Sequence, residues 1–316
     1  MDISKKDSID MNFKHVTVIG LARSGVAVAK LAQEVGAHVF FSDASDSTIV
    51  KKAFNELQKY GIDGEINGHT DKIYDTDLWV ISPGVPKNAE IIQNAQSKDI
   101  PIVSEIEFAS WFTLAPILAI TGSNGKTTTA HMLYEMCKTK DIHPVLSGNV
   151  GNAFANVVRN DLTIPDEKRV HILEISSFQM EFIQHFKPYI SLFLNLTPDH
   201  LNRYDDMDDY VSAKMNMWSN QTHDDFLVFN ADDEMLSERI APAQATKIPF
   251  SLKSDSHVLF KLNDTKIYDK EHATLIKLDE IALPGKHNLS NYLGSATSAS
   301  LLGIAPSRIS QVMKTF

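Results

Sequence analysis

Short apolar runs alternate with amphipathic stretches along most of the chain, and this alternation constrains the fold more than any other feature. Strands buried on both faces read as near-continuous apolar runs, whereas helices laid over a sheet carry one apolar stripe. In the first third, strand-like runs fall at 15–20, 38–43, 78–82 and 100–103, with helical patterns over 26–35, 48–60 and 88–97. The rhythm restarts at "APILAIT" and continues through "HPVLSG", "RVHILEIS", "YISLFLNLT" and "DFLVFN". Helical patterns there cover 127–138, 209–219 and 288–302, and a last one begins at Pro306. Between 247 and 283, "HVLFKLN", "TKIYD" and "ATLIKL" alternate with a period of two, which predicts antiparallel strands or a meander. The expectation is an α/β protein in two parts, 1–104 and 105–316, with "EIEFASWFTL" as the linking helix.

Composition narrows the function. A length of 316 residues suits two domains. The net charge of −10 argues against general affinity for a nucleic-acid backbone. With a single cysteine, Cys137, no intrachain disulfide can form, and a reducing compartment fits. The polar start "MDISKKDSIDMNF" lacks the apolar core of a signal peptide, and no apolar run approaches the roughly 20 residues that span a bilayer. A soluble, cytoplasmic monomer is expected, with no nucleic-acid or membrane partner.

The segment "AITGSNGKTTTAHM" reads as a phosphate loop cut short. The usual signature keeps four residues between its first glycine and Gly-Lys-Ser/Thr. Here Gly122 and Gly125 have only Ser123 and Asn124 between them. Strand, loop and helix nevertheless follow in the order that aims backbone N–H groups and a helix N-terminus at an anion. Lys126 would reach terminal phosphates, the Thr127 hydroxyl would bind Mg²⁺, and Thr128 follows in the first helical turn. Glu174 closes the strand in "HILEIS", placed to hold the same metal. His200 ends "NLTPDH" after another strand, where a lone histidine is more often structural.

The N-terminal part carries a weaker fingerprint. "GLARSG" (20–25) resembles a dinucleotide loop with Ala22 in place of the middle glycine, and Asp43 follows about 20 residues on, where a ribose-binding acid sits. Read alone, this Rossmann-like pattern favours NAD.

"TGSNGKTT" is similar to the shortened loop of the Mur ligases and folylpolyglutamate synthetases, which join an amine to an ATP-activated carboxylate. "GNVG" (148–151), "EISSFQM" (174–180), "NLTPDHLNRY" (195–204) and "LPGKHNLSN" (283–291) further resemble the Mur ligase branch that adds D-glutamate to UDP-N-acetylmuramoyl-L-alanine in peptidoglycan precursor synthesis. The resemblance implies a P-loop-type central domain over 105–316 that binds ATP with two Mg²⁺ sites. It also implies a third, C-terminal domain carrying the amino-acid site, for which this chain leaves no room. The resulting expectation is a truncated ligase that binds its substrates and forms little product.

By resemblance, Gly122, Ser123, Asn124, Gly125, Lys126, Thr127 and Thr128 cradle ATP, Asn291 contacts adenine and Asn288 supports the same region. Thr127 and Glu174 match metal ligands, and His200 lies beside the second metal. Lys214 matches a lysine carried as a carbamate; from spacing alone it reads as a surface lysine on an amphipathic helix. Lys126, His200 and Lys214 are thus the catalytic candidates. Asn149, Gln179 and Ser176 match contacts to the uridylyl substrate or its peptide end. The same resemblance turns "GLARSG" into a UDP-diphosphate loop with Ser24 near it. Asp43 and Ala44 become candidates for the uracil pocket at the end of the second strand, and Ser82 in "SPGV" lines that crevice. Arg23 departs from the apolar residue expected, and its role is open.

Other readings stay in play: a folylpolyglutamate synthetase-like ligase, opposed by the N-terminal α/β part and by "SSFQ", a non-catalytic UDP-muropeptide and ATP binding module, and a NAD-binding protein. The acidic "DDMDD" (205–209) and "NADDE" (230–234) read as solvated turns, and Trp79, Trp111 and Trp218 as packing residues.

Overall fold

Five short strands form the first sheet: "VTVI" (16–19), "LWVI" (78–81) and "IVS" (102–104) are buried apolar runs at its centre and far edge, whereas the polar, half-exposed "DGEI" (63–66) forms the opposite edge. The computed structural model describes residues 14–198, 203–253 and 257–316. β1 (His15–Ile19), α1 (Arg23–Glu34), β2 (His38–Asp43), α2 (Thr48–Lys59), β3 (Asp63–Ile66), β4 (Leu78–Ile81), α3 (Glu90–Ser97), β5 (Ile102–Ser104) and α4 (Glu105–Ser110) follow in order. The strands are parallel in the order β3-β2-β1-β4-β5, with His15 opposite His38 and Val16 opposite Leu78. α2 buries Val50, Ala53 and Leu57 at helical spacing, and the Ser47 hydroxyl caps it by accepting the Val50 N–H. Trp79 is fully buried in the core with Ile19, Ile81 and Ile92, and its indole N–H donates to the Ile73 carbonyl.

The second sheet starts with β6 (Ile117–Thr121), α5 (Lys126–Cys137) and β7 (His143–Gly148), after which the chain forms α6 (Phe154–Thr163). It continues through β8 (Arg169–Glu174), β9 (Ile190–Phe193), α7 (Met207–Met215), β10 (Phe226–Asn230), α8 (Glu234–Ile240) and β11 (Thr246–Phe250). These strands are parallel in the order β11-β10-β9-β6-β8-β7, so β6 is central. β12 (Phe260–Leu262), β13 (Lys266–Asp269) and β14 (Thr274–Lys277) make a separate antiparallel sheet, followed by α9 (Lys286–Leu301) and α10 (Pro306–Thr315). α5, α9 and α10 pack over a core that includes Leu118, Ile120, Leu133, Tyr292 and Leu293. Cys137 is buried there, and burial pushes its thiol up to about 12.

Two compact units emerge, and their boundaries are not sequential. The first holds the described residues up to Leu114 together with 151–165 and 178–186, and the second holds the remainder. Compactness therefore divides the chain after Leu114 rather than near Ser104. The reason is α4: it is buried along its whole length, packs on α6 and belongs wholly to the first unit. Glu107, 0% exposed, accepts the Trp111 indole N–H at 2.7 Å and the backbone N–H groups of Gln184, His185 and Phe186 at 3.1, 2.7 and 2.7 Å. This carboxylate ties the late segment to α4, and no local pattern announces it. The 247–283 stretch also resolves differently at its start, because β11 joins the parallel sheet and only β12–β14 are antiparallel.

Candidate nucleotide-binding sites

The loop between β6 and α5 owes its shape to a second loop, the one that follows β9. Asn195 Oδ1 accepts the Asn124 N–H at 2.8 Å and its Nδ2 donates to the Asn124 carbonyl at 3.0 Å. The Ser123 hydroxyl donates to the Thr197 carbonyl at 2.7 Å, accepts the Thr197 N–H at 2.9 Å and lies 2.9 Å from the Tyr210 hydroxyl. Ser123 is thereby a buried brace, while Asn124 is exposed. Gly125 opens α5 with φ +85°, and a Cβ there would stand 2.6 Å from Asn291 Oδ1. Only glycine meets both the left-handed backbone and that close approach. Lys126 Nζ folds back over the loop, donating to the Gly122 and Ser123 carbonyls at 2.8 Å each. Thr127 is exposed and Thr128 half-buried in the first turn of α5.

Glu174 ends β8 on the strand next to β6. It is 1% exposed, accepts the Thr127 hydroxyl on Oε2 at 2.8 Å and the Asn149 amide on Oε1 at 2.8 Å. A hydroxyl and a carboxylate oxygen facing each other at the mouth of a phosphate loop suit Mg²⁺, which takes one or two protein oxygens and completes its octahedron with water and phosphate. The donor set fits the ion. Among the described residues, no three His, Cys, Asp or Glu side chains gather around a metal position. His200 lies outside the described residues.

Lys214 departs from its spacing. α7 presents it inward, 2% exposed, with Nζ 3.2 Å from the Gly122 carbonyl and 3.4 Å from Thr121 Oγ1. The ammonium also sits 4.9 Å from the Tyr210 ring centroid. The surface reading of this lysine is corrected: it packs beneath the phosphate loop.

A cavity of about 450 Å³ adjoins the loop, lined by Asn124, Gly125, Asn195, Thr197, Asn230, His287, Ser290 and Asn291. Asn291 is buried within it, whereas the Asn288 side chain turns back to the Pro284 carbonyl at 3.1 Å, as a residue at a helix start does. Of the two asparagines, only Asn291 meets the loop.

In the first unit, a cavity of about 470 Å³ opens at the C-terminal ends of β1, β2 and β4, where the strand order reverses. Gly20, Asp43, Ala44 and Ser82 line it. Asp43 accepts the Leu21 N–H at 2.6 Å and the Ser45 N–H at 2.8 Å, so its carboxylate holds the two flanking loops in place. The Ser82 hydroxyl donates to the Gly20 carbonyl at 2.8 Å. A Cβ on Gly25 would lie 1.9 Å from that carbonyl, which accounts for glycine there. Ser24 is half-exposed at the start of α1, and Arg23 donates to the Gly151 carbonyl within the same unit. Gln179 is buried in the short turn Ser177–Met180, and Ser176 is half-buried after β8.

His69, Asn230, His287 and Ser290 line these cavities without having been singled out by sequence. His69 sits after the weakly patterned strand "DGEI", where no apolar run marks a strand end.

A loop of phosphate-binding type on one parallel sheet, in a chain that also holds a Rossmann-like unit with a cavity at its switch point, defines a nucleotide-dependent α/β protein. Residues 120–299 match the Mur ligase middle domain, and the chain belongs to the Mur ligase family. Residues 15–91 match the MurD N-terminal domain. The UDP-N-acetylmuramoylalanine–D-glutamate ligase of Christiangramia forsetii is 35% identical over 96% of this chain and 68% of its own length. The enzyme of that name from Geobacillus sp. is 37% identical over 96% of this chain and 66% of its own length. The chain thus spans about two thirds of these relatives. Among solved structures, the UDP-N-acetylmuramate:L-alanyl-gamma-D-glutamyl-meso-diaminopimelate ligase from Neisseria meningitides has the same fold, with TM-score 0.65, 18% identity, and 96% and 98% of the two chains covered. The MurC of Thermotoga maritima aligns with TM-score 0.55 and 22% identity, over 96% of this chain and 69% of its own.

Proposed function

We propose that this chain carries the UDP-substrate and ATP sites of a ligase that joins D-glutamate to UDP-N-acetylmuramoyl-L-alanine. The first unit holds the uridylyl end in its switch-point cavity, and the second unit holds ATP on the loop 122–128. The alanyl carboxylate attacks the γ-phosphorus, ADP leaves, and an acyl phosphate forms. The D-glutamate amine then attacks the acyl carbon and phosphate departs. The observation that carries this reading is the pairing of Thr127 with Glu174 at the mouth of the loop.

Lys126 needs only to swing from the Gly122 and Ser123 carbonyls to reach a phosphate on the loop, where its charge offsets that of the transferring group. Thr127 and Glu174 would hold Mg²⁺, with Asn149 fixing the carboxylate from behind. Bound there, the ion supplies charge neutralisation on the phosphoryl oxygens.

Lys214 enters this reading as a carbamate. A bare ammonium repels a nearby cation, whereas a carbamate on Lys214 would offer anionic oxygens to a second Mg²⁺. Its burial under the loop supports a role that a surface lysine would not have. Labelling with ¹³C-bicarbonate should give a carbamate signal in wild type that Lys214→Arg lacks; no signal in wild type overturns the modification.

For the site as a whole, calorimetry of the chain with MgATP should show binding that Lys126→Ala weakens roughly tenfold to a hundredfold through lost charge-assisted contacts, with the thermal midpoint unchanged. Equal affinity in the folded variant would remove the phosphate-loop assignment.

A further inference from the structure

The first unit's cavity contains a histidine that no motif singles out. His69 lines it beside Asp43 and Ala44, and its Nδ1 lies 2.7 Å from Ser42 Oγ. Ser42 is fully buried near the end of β2, and its hydroxyl also lies 3.0 Å from Glu65 Oε1. Glu65 further accepts the Thr70 N–H on Oε1 at 2.8 Å and the Thr70 hydroxyl on Oε2 at 2.7 Å. Burial pushes the Glu65 carboxyl up, but these hydrogen bonds and the neighbouring His69 outweigh it and hold the group below its ordinary value.

The proton positions follow from donor and acceptor chemistry. An ionised carboxylate only accepts, so the Ser42 proton points at Glu65. The hydroxyl oxygen then has only lone pairs to offer His69, and Nδ1 must carry a hydrogen. In the neutral ring this leaves Nε2 as an acceptor, and it pairs with no described residue. Water leaves imidazole free to choose either tautomer; the Glu65–Ser42 pair removes that choice.

We propose that His69 reads the pyrimidine of the substrate, its Nε2 accepting the imide N–H of uracil, with Glu65 and Ser42 as positioning residues that lock the tautomer. This rests on the assignment of the cavity to the uridylyl end. Uracil N3 carries a hydrogen where cytosine N3 carries a lone pair. An obligate acceptor therefore pairs with the first and opposes the second, leaving two acceptors facing each other unpaired. The apolar wall of Ile19, Val85 and Pro86 offers a flat base its stacking surface while the histidine supplies direction.

Calorimetric titration of the 316-residue chain with UDP and with CDP tests this. Wild type should prefer UDP by about tenfold or more, as expected where a site built to pair one polar group meets its mismatch. His69→Phe should bring that ratio near one by weakening UDP alone, with the unfolding midpoint held. Histidine ¹⁵N NMR of wild type should show the Nδ1–H tautomer at His69, and Ser42→Ala should release it. A preference for UDP that survives His69→Phe, or an Nε2–H signature in wild type, overturns the inference and leaves the uridylyl assignment standing. A wild-type chain that binds neither nucleotide, or both equally, overturns the assignment and the inference together.

Discussion

Thr127 Oγ1 donates to Glu174 Oε2 across 2.8 Å, and Asn149 occupies the other oxygen of the same carboxylate at 2.8 Å. A residue on α5, one at the end of β8 and one just past β7 thus share a single carboxylate. Parallel pairing of β6 with β8 and of β7 with β8 brings them together.

Glu174→Gln keeps the shape and removes the charge. MgATP affinity should fall by roughly tenfold or more, and raising Mg²⁺ should recover part of it, because the lost element is a metal oxygen. Titration at two magnesium concentrations checks this; a loss insensitive to magnesium would assign Glu174 a purely structural role.

Asn195 clamps Asn124 from both sides of its peptide. Asn195→Ala releases the exposed Asn124 N–H and carbonyl to water and should cost only about 0.5–1.5 kcal/mol of stability. Nucleotide affinity should drop with it, since the loop loses its brace. Urea unfolding and MgATP titration on the same preparation separate the two effects, and unchanged affinity would show that the short loop holds its shape unaided.

Glu107 neutralises four N–H donors in a site that water does not reach. Glu107→Ala leaves the buried Trp111 indole and Phe186 amide unpaired along with the part-buried Gln184 and His185 amides, so a loss of roughly 3 kcal/mol is expected. Chemical denaturation measures it; a change under 1 kcal/mol would mean that α4 and the 178–186 segment are held by packing alone.

Glu105 gives a pH dependence of predictable sign. Burial pushes its carboxyl up to about 7, against partial opposition from the Ala155 N–H at 2.6 Å and from Arg23. The folded state therefore binds the proton more tightly than the unfolded chain, whose carboxyl titrates near 4.5. Its stability contribution is fully present below about 4.5 and is lost as pH rises to about 7, by roughly 3 kcal/mol at most. Glu105→Gln should unfold with a flatter pH profile and gain on wild type between pH 5 and 8. Parallel profiles for the two proteins would show that this carboxyl ionises freely when folded.

Alternation of apolar and amphipathic runs was enough to establish two α/β parts, and the order strand, Gly-Ser-Asn-Gly, Lys-Thr-Thr placed a strand–loop–helix turn where β6 and α5 flank residues 122–125. Periodicity and turn chemistry are written within about ten residues, so they survive in one dimension. The strand-end positions of Glu174 and Asp43 were legible for the same reason. The burial of Lys214, the Asn195 clamp, the Glu107 anchor and the Ser42–His69 contact were not. Each joins groups from separate elements or loops that lie 27 to 93 residues apart, and only the strand order of the finished sheets makes them neighbours. α7 shows the limit well: nothing local separates Lys214 from a solvated lysine until β6 places the Gly122 carbonyl 3.2 Å from its ammonium.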